Sequence, residues 1–394
     1  MASSTADPVI VAARRTPIGT RGRSLRSVTV EQLAAPVIRA LVDDGADALG
    51  GRRPVADVVL GNCMGPGGNP ARVAALAAGL GSGVPGMTVD RQCGSGLAAI
   101  VEAATAVRAG DERMRVAGGV ESASTAPVRS IDGVAYERAP FAPQGTPDPD
   151  MTLAADDLAR AFGLSRERQD AYTARSHRRA RVAVDRGAFD EELVPLAALA
   201  VDDAITAVGA NPADGANDTA SIAVERLLPR FPPLFDGGSV TAGNSCRVND
   251  GAAAALIVPG RVRGDAPGLA LRAHATVGCD PALPGLGAAP AIAAALDRSG
   301  HRLADVAAFE IVEAFAAQLL AVLTELGLPD TDARVCADGG ALALGHPWGA
   351  SGAVSVVRLF SRLVRAGAPA GTVGVAAASI GGGMGVAAVF EVVR

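Results

Sequence analysis

Cys93-Gly-Ser-Gly-Leu-Ala-Ala-Ile-Val-Glu-Ala-Ala-Thr-Ala-Val-Arg-Ala-Gly110 opens on small residues, runs on as an Ala/Val helical pattern and stops at a glycine. An apolar run, Met114–Ala117, follows and ends in Gly118-Gly119. The same order returns late in the chain. Gly349-Ala-Ser-Gly352 opens a helical pattern that ends in Val364-Arg-Ala-Gly367, and a strand pattern then runs into Gly381-Gly-Gly383. The offsets are 256 and 257 residues, so the two units match within one gap. A unit that recurs in this way implies a duplicated architecture. The expectation is two similar βαβ halves meeting at a pseudo-twofold axis, with both Gly-rich helix N-termini facing one shared site.

Working outward, apolar β-branched runs alternate with Ala-rich helical stretches, the pattern of α/β layering. Strands are expected at Val9–Ala12, Val58–Gly61, Met114–Ala117, Ala253–Val258, Ala308–Val312 and Val373–Ala378. Helices are expected at Val30–Asp43, Gly94–Ala109, Ser165–Arg186, Pro290–Ser299, Ala314–Leu326 and Gly349–Ala366. The segment Glu121 to Ser239 differs: it holds Pro clusters and a charged helix, and reads as an inserted loop domain. Most arginines of that helix are expected on a solvated face, with a minority free to meet an anionic ligand such as a nucleotide phosphate.

Composition narrows the chemistry. All 36 basic residues are Arg, and Lys is absent. That excludes Lys Schiff-base enzymes, pyridoxal-phosphate enzymes anchored through Lys, and Walker-type P-loops. Hydrophobic residues make up 49% of the 394 residues and aromatics 3%, so a large core can form but few platforms exist for stacking bases. The net charge of −5 gives no general attraction to nucleic acid or anionic membrane. No apolar run reaches the roughly 18 residues of a spanning helix, and Met1 to Pro8 lacks a signal-peptide pattern. The 5 Cys form no CxxC pair, so no metal site is expected, and reduced thiols point to the cytoplasm.

Two residues stand out chemically. Cys93 sits where a strand-like run turns into a helix, so the helix dipole is expected to lower its pKa. Gly94 and Gly96 leave backbone N–H groups open to an oxyanion. His346, in Gly345-His-Pro-Trp-Gly349, lies on a rigid loop before the second small-residue helix, and the duplication brings it to the same axis as Cys93. A Cys–His pair with an activated thiol follows. His177, His274 and His301 are expected to be structural or surface residues. The glycine run in Ala378-Ser-Ile-Gly-Gly-Gly-Met384 implies close approach of backbone or ligand.

Together these segments resemble the thiolases, the CoA-dependent acyltransferases and condensing enzymes of the thiolase superfamily. The resemblance spans nearly the whole chain, from Val9-Ile-Val-Ala-Ala-Arg-Arg-Thr-Pro-Ile-Gly19 through Val240-Thr-Ala-Gly-Asn244 and Asn249-Asp-Gly251 to the terminal glycines. It implies the thiolase fold: two βαβαβαββ halves in an α-β-α-β-α arrangement with a loop domain. Residues 1–120 and 240–262 would form one half, 121–239 the loop domain and 263–394 the other half. It also implies that Cys93 takes the acyl group from acyl-CoA, that His346 activates it, and that the N–H groups of Cys93 and Gly381 hold the oxyanion. Ala314 and Phe315 would line the acyl pocket, and Met151, Ala242 and the loop through Cys246 and Arg247 would lie against pantetheine. CoA thioester is then substrate, with no permanently bound cofactor, and the assembly is a homodimer or homotetramer.

Several positions depart from the family pattern. Ser379 stands where thiolases carry a second Cys, the acid/base of C–C bond chemistry, and a hydroxyl is a far weaker acid. Val312 stands where the family has an Asn that orders a water near the enolate oxygen. Ser245-Cys246-Arg247 replaces Ala-Ser-Gly, Ile222-Ala-Val replaces Ile-Arg-Pro, and Asp150 replaces the His before Met151. The acyl-transfer machinery is therefore expected to be complete, with CoA or another thioester carrier as donor. Three outcomes stay open: condensation with a second acyl-CoA, transfer to an amine, alcohol or acidic carbon, and a degenerate acyl-CoA-binding subunit.

Overall fold

A computed structural model describes residues 7–136, 138–196, 199–207 and 224–394. The strands are β1 Pro8–Arg15, β2 Gly19–Thr20, β3 Val55–Gly61, β4 Gly86–Val89, β5 Met114–Ser122, β6 Arg129–Ile131, β7 Val134–Tyr136, β8 Asn249–Pro259, β9 Gly268–Gly278, β10 Val306–Ile311, β11 Val373–Ile380 and β12 Met384–Val393. All but β6 and β7, which pair with each other, belong to one sheet of spatial order β10-β11-β12-β9-β1-β8-β5-β3-β4, with β2 on β8.

The duplication is visible in the pairing. In the first half β1 runs antiparallel to β8, β8 antiparallel to β5, β5 parallel to β3, and β3 parallel to β4. In the second half β9 runs antiparallel to β12, β12 antiparallel to β11, and β11 parallel to β10. A single parallel bridge, Phe309 to Val335, stands where the first half has β4. The halves join where β1 and β9 pair antiparallel through Val9–Ala270 and Ile10–Leu269.

Three apolar clusters separate the layers. Val9, Leu33, Ile38 and Val116 belong to the outer layer of the first half. Ile292, Leu319 and Phe309 belong to that of the second. Between the two halves of the sheet lie Leu97, Ile100, Val356 and Phe390. This middle layer is built from the two repeated helices, Ser95–Arg108 and Trp348–Leu359. Their small residues let the backbones touch. A Cβ on Gly96 would lie 2.8 Å from Gly349 O, and one on Gly352 would lie 2.7 Å from Leu97 N. The second helix continues from Leu359 into a wider π turn, Phe360–Arg365.

The charged helix, Arg166–Asp185, is not simply a solvated face. Arg168 pairs with Asp330 at 2.6 Å, Arg175 donates to Asp330 O, and Arg179 donates to Val335 O at 2.5 Å. These arginines pin the inserted segment to carbonyls and carboxylates of the second half, which corrects the expectation from charge pattern alone. Buried Glu313 adds a further tie, accepting from Tyr172 Oη at 2.8 Å and Ser176 Oγ at 2.7 Å.

Candidate active site

The shared site forms where both central helices begin. Gln92 has a φ of 42°, a left-handed conformation that lets the chain turn sharply before Cys93. Ser95 clamps this turn: its Oγ accepts from Arg91 N at 2.7 Å and donates to Gln92 O at 2.7 Å. Buried Glu121, at the end of β5, gathers Asn62 Nδ2, Cys63 N, Met64 N and Gly349 N at 2.9–3.1 Å. One carboxylate thus ties the first half to the N-terminus of the second half's central helix. Burial pushes its pKa up, and these donors oppose that rise.

His346 is 2% exposed and held from both sides. Its backbone N–H donates to Asn249 Oδ1 at 2.9 Å. The preceding Gly345 has a φ of 110°, and a Cβ there would lie 2.4 Å from Asn249 Cγ. Ser351 Oγ lies 2.6 Å from His346 Nδ1 and donates to Pro347 O at 3.0 Å. Having spent its proton on Pro347, the hydroxyl accepts from Nδ1–H. That tautomer leaves the Nε2 lone pair facing Cys93 Sγ at 3.3 Å.

Burial governs the charge state. The Cys93 thiol is pushed up to about 12 by desolvation, against which the N–H groups of Cys93 and Gly381 hydrogen-bond to its sulfur. His346 is pushed down to about 4 by the same cause. The resting pair near pH 7 is therefore thiol and neutral imidazole, not the thiolate expected from the helix dipole. Cys93 sits in the 3₁₀ turn Gln92–Gly94 ahead of the helix, where desolvation outweighs the dipole.

The other sequence-selected residues fall into three groups. Cys246, Ala314 and Phe315 come together with His346: Cys246 N–H donates to Ala314 O at 2.9 Å, Ser245 bridges Phe315, and Val248 bridges His346. Arg247 is half-buried beside His177, and burial together with Arg247 pushes that imidazole down to about 4. Met151 begins the helix Met151–Ala161, where Asp150 serves as N-cap, accepting from Thr152 N at 2.8 Å. Ala242 lies exposed on the preceding turn, and the Ile222-Ala-Val segment lies largely outside the described residues. Ser379 is spoken for: its hydroxyl donates to Gly285 O at 2.6 Å and accepts from Ala288 N at 3.0 Å. Val312 is buried in the middle-layer core.

Whole-chain comparisons identify the family. The family described as "Thiolase, N-terminal domain" matches residues 8–261, and "Thiolase, C-terminal domain" matches residues 266–392. The chain belongs to the thiolase family. It is 42% identical to YhfS of Bacillus subtilis (strain 168), covering 98% of this chain and 99% of that one; YhfS is provisionally named acetyl-CoA C-acetyltransferase. VraB of Staphylococcus haemolyticus (strain JCSC1435), provisionally given the same activity, is 40% identical over 98% of each chain. The crystal structure of the Bacillus anthracis acetyl-CoA acetyltransferase superposes with a TM-score of 0.85 at 35% identity, covering 98% of this chain and 99% of that one. As a thiolase-family member this protein is an acyltransferase, and its fold is the thiolase fold.

Sequence reasoning missed several supporting groups of this thiolase site. Ser351 orients the imidazole, and its place five residues after His346 at the start of a helix was a usable signal. Glu121 was visible only as part of a glycine-rich motif. Phe141 had no signal: it rises from the Pro-rich segment to cover the oxyanion turn, where a Cβ on Gly381 would lie 2.6 Å from its ring.

Proposed function

We propose that this protein takes an acyl group from a CoA thioester onto Cys93, in the manner of an acetyl-CoA C-acyltransferase. The observation that carries the reading is the 3.3 Å contact between Cys93 Sγ and the acceptor nitrogen of His346, whose tautomer Ser351 fixes. His346 Nε2 takes the thiol proton as sulfur attacks the thioester carbonyl. The N–H groups of Cys93 and Gly381 receive the oxyanion. The tetrahedral intermediate collapses to acyl-Cys93, and the proton on Nε2 passes to the departing CoA sulfur. Ala314 and Phe315 bound the acyl pocket, and Cys246 and Arg247 lie on the pantetheine side with Met151 and Ala242.

A second reading concerns the acceptor. The Ser379 hydroxyl is committed to Gly285 O and Val312 presents only methyl groups, so neither suits enolate formation from acetyl-CoA. This favours transfer of the acyl group to an acceptor that brings its own nucleophilicity, an amine, an alcohol or an acidic carbon. Labelled acyl-CoAs and intact-mass spectrometry test both readings. We expect an adduct that Cys93→Ala abolishes, and no adduct from any acyl thioester would overturn them. An adduct consumed by acetyl-CoA selects condensation; one consumed only by another nucleophile selects the alternative.

A homodimer or homotetramer fits the unpaired edge of β4, where Met87 is 41% exposed, and the β6–β7 hairpin, where Val128, Ile131 and Val134 are open to solvent. Five unpaired thiols favour the cytoplasm. Among the described residues no helix is long and apolar enough to cross a membrane.

A further inference from the structure

Behind His346, on the side away from Cys93, lies a small cavity of about 20 Å³. The helix Trp348–Leu359 lines it with the i, i+3, i+4, i+7 stripe Ser351, Val354, Ser355 and Arg358, and Glu310 and Val312 line it from β10 and its end. One of these groups is a fully buried polar atom without a protein partner among the described residues. Arg358 is 2% exposed and has an Nε–H with no acceptor, although its two terminal nitrogens pair with Glu192 and Asp338. Ser355 is 7% exposed and lines the cavity one turn before Arg358. Helical side chains lean toward the helix N-terminus, so the Arg358 stem approaches the turn that carries Ser355. Leaving a buried donor unpaired costs about 1–3 kcal/mol, and a site of this size with polar walls is the kind that holds an ordered water.

We propose that this cavity binds one ordered water molecule that joins Ser355, Arg358 and Glu310 to Ser351, and that Glu310 acts through this chain as a positioning residue for His346. Ser351 is the link, since the hydroxyl that lines the cavity is also the acceptor of His346 Nδ1–H. The charged groups facing Glu310 are Arg362, which donates to it at 2.6 Å, Arg358 from the same helix, and Asp338 from the loop opposite; the Cys336 thiol is a further titratable neighbour. Burial raises the Glu310 carboxyl to about 7 against the pull of Arg362 and Arg358, so its charge changes near neutral pH. Above that point the carboxylate favours the imidazolium over the imidazole, and with it the thiolate of Cys93. Below it the neutral acid withdraws that support.

The inference rests on the Cys93–His346 pair but not on acyl transfer, so alkylation of Cys93 by iodoacetamide tests it without any acyl thioester. The wild-type rate should rise through an inflection near pH 7, in addition to the thiol's own alkaline ionisation. Glu310→Gln should remove that inflection and slow alkylation at pH 8 by about fivefold, the size of a partly screened charge coupling. Ser355→Val fills the cavity, leaves the carboxylate in place, and should remove the inflection too. It decides the matter should Glu310→Gln fail to fold. A wild-type profile without the inflection, or Ser355→Val following the wild-type curve, overturns the proposal, as does an empty cavity in an atomic-resolution crystal structure.

Discussion

The Cys93–His346 side of the site and the Ser379–Val312 side both lie beside glycine-rich turns, yet they treat their polar atoms in opposite ways. On the first side a chain of hydrogen bonds, Pro347 O to Ser351 to His346, ends on a free lone pair aimed at sulfur. On the second the chain ends in itself: the Ser379 proton goes to Gly285 O, and its lone pairs meet Ala288 N and Gln318 Nε2. Beside it, Val312 is packed among Leu97, Val356 and Ile380. A hydroxyl with every hydrogen-bonding site engaged stabilises the fold but has no capacity left to exchange a proton with substrate. The same backbone therefore presents, on the proposed mechanism, a reactive wall and an inert one.

The largest blow to this contrast is aimed at the reactive wall. His346→Gln keeps a side chain of similar reach but no basic nitrogen, and should slow acyl-Cys93 formation by about 10²–10⁴-fold in single-turnover mass spectrometry. A loss below tenfold would mean that sulfur ionises without the imidazole. The inert wall is probed by restoring what it lacks. Ser379→Cys combined with Val312→Asn should raise thiolysis or condensation by about 10²-fold, the lower end of one recovered acid/base group, while leaving acylation of Cys93 unchanged. If turnover does not improve, the acceptor pocket differs from a condensing site in more than these two groups.

The fold was legible because its repeat rests on steric necessity. Gly96 and Gly352 are small where two helix backbones touch, and such a pattern survives in one sequence without any alignment. Cys93 and His346 were legible for the same reason, since both lie at the starts of the repeated helices. Two long strands, β9 and β12, were not singled out. β12 lies in the interior of the sheet, where its Ala/Val run carries no alternation to distinguish it from helix. β9 does alternate, Arg272, His274 and Thr276 with Ala273, Ala275 and Val277, a signal that went unused. The charge state of Cys93 could not be read either, because burial decides it and depends on distant segments such as the Phe141 loop. Arg175 and Arg179 of the charged helix misled for a related reason: their partners are backbone carbonyls of the 330–336 segment, which no charge pattern reveals.

The smallest expected effect is on stability, and it again separates the two walls. His346 has a folded pKa near 4, below its ordinary 6.5, so the folded protein binds fewer protons there than the unfolded chain. Its contribution to stability is present above pH 6.5 and is lost as pH falls through about 4, at most about 3 kcal/mol for a shift of this size. His177 is displaced in the same direction, to about 4, by burial and by Arg247. Between pH 7 and 4 these two imidazoles lower the melting temperature on acidification, while the raised carboxyl of Glu310 works in the opposite direction, so the informative quantity is the difference between wild type and a His346 variant. His346→Gln should lose less stability than wild type as pH falls from 7 to 4, by at most about 3 kcal/mol. Ser379→Ala should lower the melting temperature by a constant amount at every pH, because the hydroxyl it removes does not titrate in this range. An acid slope unchanged in His346→Gln would show that this imidazole is solvated, and that burial is not what holds the Cys93 pair neutral.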